Sequence, residues 1–128
     1  MKILVCGSRH CPQQIVIDKL NELSLGWPRT PSDALGNWLS AVEIISGAAK
    51  GADTAAIDWA VINLCKFREF PADWKTYGKA AGPIRNQQML DEGKPDLVVA
   101  FLAPNSRGTK DMIQRAQKAN IPVEIINI

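Results

Sequence analysis

The chain has no run of 18 apolar residues, so its pattern excludes a membrane-spanning helix. Its opening stretch, "MKILVCGSR", is too short and too soon interrupted to serve as a secretory leader. Charge of one sign is also missing: 15 basic against 13 acidic residues leave a net +2. A protein that holds duplex nucleic acid by neutralising phosphates usually carries a larger excess, so a nucleic-acid partner is not expected. Cysteine is sparse and odd in number, with Cys6, Cys11 and Cys65 in or beside apolar segments. That is the pattern of reduced, buried thiols in a cytoplasmic protein rather than of a disulfide framework. Cys6, His10 and Cys11 lack both metal-ligand spacing and a second ligand pair, so neither a metal nor a cofactor is expected. There are no internal repeats and no low-complexity tract.

What remains is a chain of 128 residues, enough for one domain, 1–128, with a sizeable core. Four β-rich apolar runs stand out: "KILVC" (2–6), "VEIIS" (42–46), "DLVVAFL" (96–102) and "PVEIINI" (122–128). A fifth, "KFREF" (66–70), alternates polar and apolar residues as an edge strand does. Helical patterns fill 12–25, 52–65, 83–92 and 109–119, with Pro83 as a first-turn residue and Pro122 beyond the last helix. Strands alternating with helices of this length imply βαβ units. The expected fold is α/β: a Rossmann-like three-layer sandwich around a five-stranded parallel sheet in the order 3-2-1-4-5. Ligands of such sheets bind beyond the carboxyl ends of the strands, where the order reverses.

One segment, about 26–41, is inserted into this pattern. "GWPRTPSDALGNWLSA" carries turn signals and two tryptophans, and Leu35, Trp38, Leu39 and Val42 follow a helical spacing after Ser32. The spacing predicts a short extra helix. It would serve as a lid over the core edge or as an apolar contact with another subunit in a homo-oligomer.

Three strands run into similar turns, each opening a helix. They are Gly7-Ser8-Arg9, then Ser46-Gly47 through Gly51-Ala52-Asp53, then Asn105-Ser106-Arg107-Gly108-Thr109. Glycine lets backbone approach a ligand, and the free N–H groups at a helix start attract anions. None of the turns is a P-loop or a G-x-G-x-x-G fingerprint. A carboxylate at a helix start repels phosphate, so Asp53 suits ribose hydroxyls, with a plain N-cap as the alternative. The phosphate candidate is then Ser106, Gly108 and Thr109, with Arg107 as added charge or a solvated loop cation. Arg85 and Asn86 fall in the first turn of a helix starting at Pro83. A cation there calls for an anionic partner: either a ligand or a salt bridge to Asp53 or Asp73. Met89, one turn on from Arg85, floors a base pocket or fills core, and Trp74 stacks on a base or caps the sheet end. Asp53 and Arg85 are the candidates for any catalytic role.

Taken together, "CGSR", "SGAAKGADTAA", "ADWKTYGKAAGPIRNQQM" and "LVVAFLAPNSRGTKDMIQRA" resemble the YspA, cpYpsA-related SLOG family, in the family's order and spacing. The resemblance implies a Rossmann-like SLOG fold in a bacterial or phage protein. It implies binding of a nucleotide or nucleotide-derived ligand of mononucleotide, cyclic or ADP-ribose-like type. It also implies a ligand-lining role for Gly7, Ser8, Arg9, Gly47, Gly51, Asp53, Arg85, Asn86, Ser106, Gly108 and Thr109. The wider superfamily includes LOG phosphoribohydrolases, whose P-G-G-x-G-T-x-x-E motif ends in a catalytic glutamate. This chain departs from that motif: the glycine pair is lost and Met112 stands at the glutamate position. A thioether cannot act as acid, base or stabiliser of a sugar cation. The leading expectation is a nucleotide-binding module. The rivals are an N-glycosidic hydrolase using Asp53 and a nucleic-acid-binding protein.

Overall fold

The structure, a computed structural model, describes residues 1–28, 30–32, 36–38 and 41–128. In chain order the elements are β1 (Lys2–Gly7), α1 (Gln13–Ser24), β2 (Thr30–Ser32), β3 (Gly36–Trp38), β4 (Glu43–Ser46) and α2 (Ala52–Ile62). Then come β5 (Lys66–Glu69), α3 (Trp74–Tyr77), a 3-10 turn (Gly78–Ala80), α4 (Ala81–Gly93), β6 (Leu97–Leu102), α5 (Arg107–Lys118) and β7 (Val123–Asn127).

Five strands form one sheet in the order β5-β4-β1-β6-β7, and every pairing is parallel. This is the expected 3-2-1-4-5 arrangement. It follows from apolar runs too short for helices, joined by helices that must cross over to keep each strand parallel to its neighbour. Alternation along the central strands divides the core into two. Ile3, Val5, Val99 and Phe101 face Val16 and Leu20 of α1 and the small residues Ala52, Ala55, Ala56 and Ala60 of α2. Leu4, Cys6, Val98 and Ala100 face Met89 and Leu90 of α4 and Met112, Ile113 and Ala116 of α5. Each such aliphatic side chain, once fully buried, contributes about 1.5–3 kcal/mol. The alanines of α2 let that helix lie close to the sheet. This brings its first turn to the end of β1.

All three cysteines are buried and free. Burial pushes the Cys6 and Cys11 thiols above their ordinary range. Among the described residues no helix is long and apolar enough to cross a membrane.

The inserted segment departs from expectation. Where it is described, it is not a helix but an antiparallel hairpin, pairing Thr30 with Trp38, Pro31 with Asn37 and Ser32 with Gly36. Gly36 and Asn37 are weak helix formers and Pro31 has no N–H, so the apolar spacing of the segment lost to its local preferences. Leu35 and Leu39 lie outside the described residues, as does the side chain of Trp38. The ends of the segment are tied to the core. Trp27 is 7% exposed and meets Trp59 edge to face, centroids 5.9 Å apart, and Val42 is fully buried.

Candidate functional site

At the end of β1, Gly7 is a glycine because nothing larger fits. A Cβ there would sit 2.7 Å from the Ala52 Cβ and 2.8 Å from the Phe101 Cβ. The Ser8 N–H donates to the Phe101 carbonyl at 3.1 Å, and the Ser8 carbonyl accepts from Ala52 N–H at 3.4 Å. Gly51 completes the lock. Its φ of +79° is left-handed, and a Cβ would strike the carbonyls of Ser8 and Arg9. The carboxyl end of β1 is thereby joined through backbone to β6 and to the start of α2, and the stretch around Gly47 and Gly51 is a close-packing turn.

Asp53 sits inside that turn. It is 5% exposed, and the N-cap of α2 is Gly51 rather than Asp53. Its Oδ2 accepts from Ala49 N–H at 3.3 Å, while Oδ1 is buried with no hydrogen-bond partner among the described residues. Burial raises its pKa from 3.8 to about 6, against the opposing pull of Arg85 and of the backbone N–H groups of Ala49 and Gly47. Ser46, fully buried, donates from Oγ to the Asp53 carbonyl at 3.0 Å and accepts from Ala48 N–H at 3.3 Å. The acidic side chain is held by the loop it organises.

Arg85 covers this centre. Nη1 donates to the Gly47 carbonyl at 2.6 Å and to the Phe70 carbonyl at 3.4 Å, and Nε donates to Asn86 Oδ1 at 3.2 Å. A Cβ on Gly47 would collide with the guanidinium and would come within 2.9 Å of Asp53 Oδ2. Gly47 is thus the floor on which the Arg85 guanidinium lies beside the carboxylate. The alternative of a salt bridge to Asp53 or Asp73 is not what holds Arg85, which forms no ion pair within 4.0 Å among the described residues. Carbonyls take its hydrogens, and Asp73 instead accepts from Thr76 N–H at 3.1 Å as the cap of α3. The first-turn placement also needs correction. Helix α4 starts at Ala81, two residues before Pro83, so Arg85 and Asn86 lie in its second turn, beyond the reach of the terminal dipole.

Asn86, 4% exposed, joins this centre to the third turn. Its Nδ2 donates to the Gly108 carbonyl at 3.1 Å and to Asp111 Oδ2 at 2.9 Å. Asp111 in turn accepts from Arg115 Nε at 2.8 Å, and Arg115 Nη1 donates to Gln87 Oε1 at 3.0 Å. Sequence reasoning assigned no role to Gln87, Asp111 or Arg115. The i, i+4 spacing of Asp111 and Arg115 was the available signal. In the third turn, Ser106 is the N-cap of α5, yet its Oγ accepts from Ala103 N–H at 3.2 Å, inside its own turn. Gly108 is open, with nothing within 4 Å of an added Cβ, and Thr109 is 5% exposed.

The remaining candidates separate. Arg9 and Arg107 are exposed. Met89 is 1% exposed and belongs to the core with Leu4, Ile45 and Phe70, so it does not floor an open base pocket. Met112 is fully buried on the same side of the sheet. Trp74 is half exposed. The strand order reverses between β1 and β6, and the Arg85 guanidinium lies to one side of that point, on carbonyls just beyond β4 and β5. Two hollows lie elsewhere, and Arg85 lines neither. One of about 500 Å³ between α4 and α5 is lined by Gln87, Asp111, Gln114, Arg115 and Lys118. One of about 180 Å³ is lined by Cys11, Gln13, Gly51, Thr54 and Asp58.

Comparison with known proteins bears on the whole arrangement. The family model described as "YspA, cpYpsA-related SLOG family" matches residues 1–77, which hold the first two turns and α3. The Gene 61 protein of Mycobacterium phage D29 is 40% identical over 85 residues, 62% of this chain and 67% of that protein. Among solved structures, DNA processing protein A (DprA) from Streptococcus pneumoniae superposes with a TM-score of 0.69 over 97% of this chain. Identity is 22%, so the likeness is one of fold, and the chain spans about half, 49%, of the DprA chain.

Proposed function

The chain belongs to the YspA, cpYpsA-related SLOG family, and from that premise we propose that it binds a nucleotide or nucleotide-derived molecule where the ends of β1, β4 and β6 meet. The fold is that of a Rossmann-like SLOG module. The observation that carries the ligand is Asp53: a carboxylate oxygen buried without a hydrogen-bond partner, beside a cation, at the junction of three glycine-bearing turns. An unpaired buried acceptor costs about 1–3 kcal/mol, more for a charged group, and such a cost is offset when a ligand hydroxyl donates to it. A ribose hydroxyl supplies that donor. Phosphate goes to the open turn at Ser106, Gly108 and Thr109, where Gly108 leaves space and the start of α5 favours an anion. Arg9 takes a further anionic group.

Arg85 is the residue that yields. Its guanidinium donates only to uncharged oxygens, the carbonyls of Gly47 and Phe70 and Asn86 Oδ1, and a phosphate adds full negative charge and bidentate geometry to the bond. A nucleotide phosphate therefore draws the guanidinium off Gly47 and uncovers Asp53. The test is native mass spectrometry of protein purified from cells, joined to thermal shifts with a nucleotide panel. A co-purifying phosphate-bearing molecule is expected, together with a nucleotide-induced shift that Asp53→Asn abolishes. No bound molecule and no shift would overturn the reading.

The unpartnered Oδ1 of Asp53 also supports a second reading, in which the same carboxylate stabilises the sugar cation of an N-glycosidic hydrolase. Turnover lost and binding kept in Asp53→Asn would support the hydrolase. Binding lost with no turnover at any stage would support the module.

A further inference from the structure

Asp73, α3 and the 3-10 turn that follows it span residues 73–80, and all of them are exposed. Two are large aromatics: Trp74 and Tyr77 are each 50% exposed. Three positions apart on one helical turn, they share a face. An ordered segment that buries no side chain and displays a tryptophan beside a tyrosine has surface to offer. Its charge indicates what for. Lys75 and Lys79 are exposed and form no ion pair among the described residues, and the one carboxylate of the segment, Asp73, is engaged in capping.

The platform also stands next to the site. The Trp74 ring edge lies 3.4 Å from where a Cβ on Gly82 would be, so the indole rests against α4 at this residue. Gly82 precedes Arg85 by three residues, or about 4.5 Å along the helix axis. Flat rings for a base and lysines for a phosphate, continuous with a nucleotide site, are the parts of a single-strand binding surface. Two lysines and a chain charge of +2 suit a short strand rather than a duplex.

We propose that Trp74, Tyr77, Lys75 and Lys79 form a second-nucleotide subsite, so that the ligand class is a dinucleotide or longer single strand whose first unit lies at Asp53 and Arg85. This rests on the nucleotide reading above. The experiment compares AMP with pApA by calorimetry on the full chain. The parent is expected to bind pApA about tenfold more tightly than AMP, the order of one base stacked on an aromatic ring. Trp74→Ala brings that ratio to about one, and Trp74→Phe, which keeps a ring, restores most of it. Tyr77→Ala repeats the comparison away from the Gly82 contact should Trp74→Ala disturb folding. Equal affinity of the parent for AMP and pApA overturns the subsite and leaves the nucleotide site standing. Binding of neither probe overturns both. A change of oligomeric state in Trp74→Ala, with the pApA preference intact, reassigns the face to a contact between copies of the chain and overturns the subsite.

Discussion

The turn from β4 into α2 and the turn from β6 into α5 look alike on paper: each places glycine and a hydroxyl residue at the start of a helix. They are built in opposite ways. In the first, Gly47 and Gly51 are glycines because neighbouring atoms already occupy the space of a side chain: the Arg85 guanidinium in one case, the Ser8 and Arg9 carbonyls in the other. In the second, Gly108 faces open space. Gly47 and Gly51 serve contact within the protein, and Gly108 leaves access from outside. A sequence records both as the same letter.

This contrast can be broken at several points, beginning with the largest effect. Gly51→Ala forces a side chain into a left-handed conformation and into two carbonyls. A loss of about 4 kcal/mol is expected, read as a lowered urea midpoint, whereas a variant as stable as the parent would deny the lock between the first two turns. Asp53 comes next. Its folded pKa of about 6 stands above the ordinary 3.8, so the folded state retains a proton that the unfolded chain releases between those values. The stability this lends is complete below about pH 4 and is lost as pH rises through about 6, to the extent of roughly 2–3 kcal/mol. Asp53→Asn removes that slope. Denaturation from pH 4 to 7 should therefore show the variant gaining on the parent as pH rises, and parallel curves would refute the burial.

Asn86→Ala should cost about 2 kcal/mol, because the bonds from one buried amide to Arg85, Gly108 and Asp111 go together. Hydrogen exchange in the first turn of α5 is expected to quicken with it, and an unchanged α5 would mean that the two turns are positioned separately. The smallest effect belongs to Gly108→Ala. With room for the methyl and a helical setting, stability should hold or rise by about 0.5–1 kcal/mol. Loss of nucleotide-induced stabilisation in the same variant would locate the ligand there.

The fold was legible because its signals are local. Apolar runs such as "KILVC" and "DLVVAFL" are too short for helices, and alternation with helical segments leaves the parallel order little freedom. The inserted segment was misread because its apolar spacing matched a helix while Gly36, Asn37 and Pro31 opposed one. In the site, the three turns were visible as glycines at strand ends, and Asp53 as the one acid among them. Which partner each group chose was not visible. Arg85 reaches the carbonyls of Gly47 and Phe70, 38 and 15 residues away, and a backbone acceptor leaves no mark on the sequence. Met89 shows the same limit, since its one-turn distance from Arg85 says nothing of which side of α4 meets the sheet.

The edge-to-face meeting of Trp27 with Trp59, and the burial of Val42 beside them in the same core, give the inserted hairpin two fixed moorings. Added length between those moorings should cost the sheet little, because each doubling of a flexible loop costs only about 0.6 kcal/mol in closure entropy. The stretch is therefore a natural graft port, a place where a foreign peptide or a fluorescent reporter can be spliced while the strand ends keep their alignment.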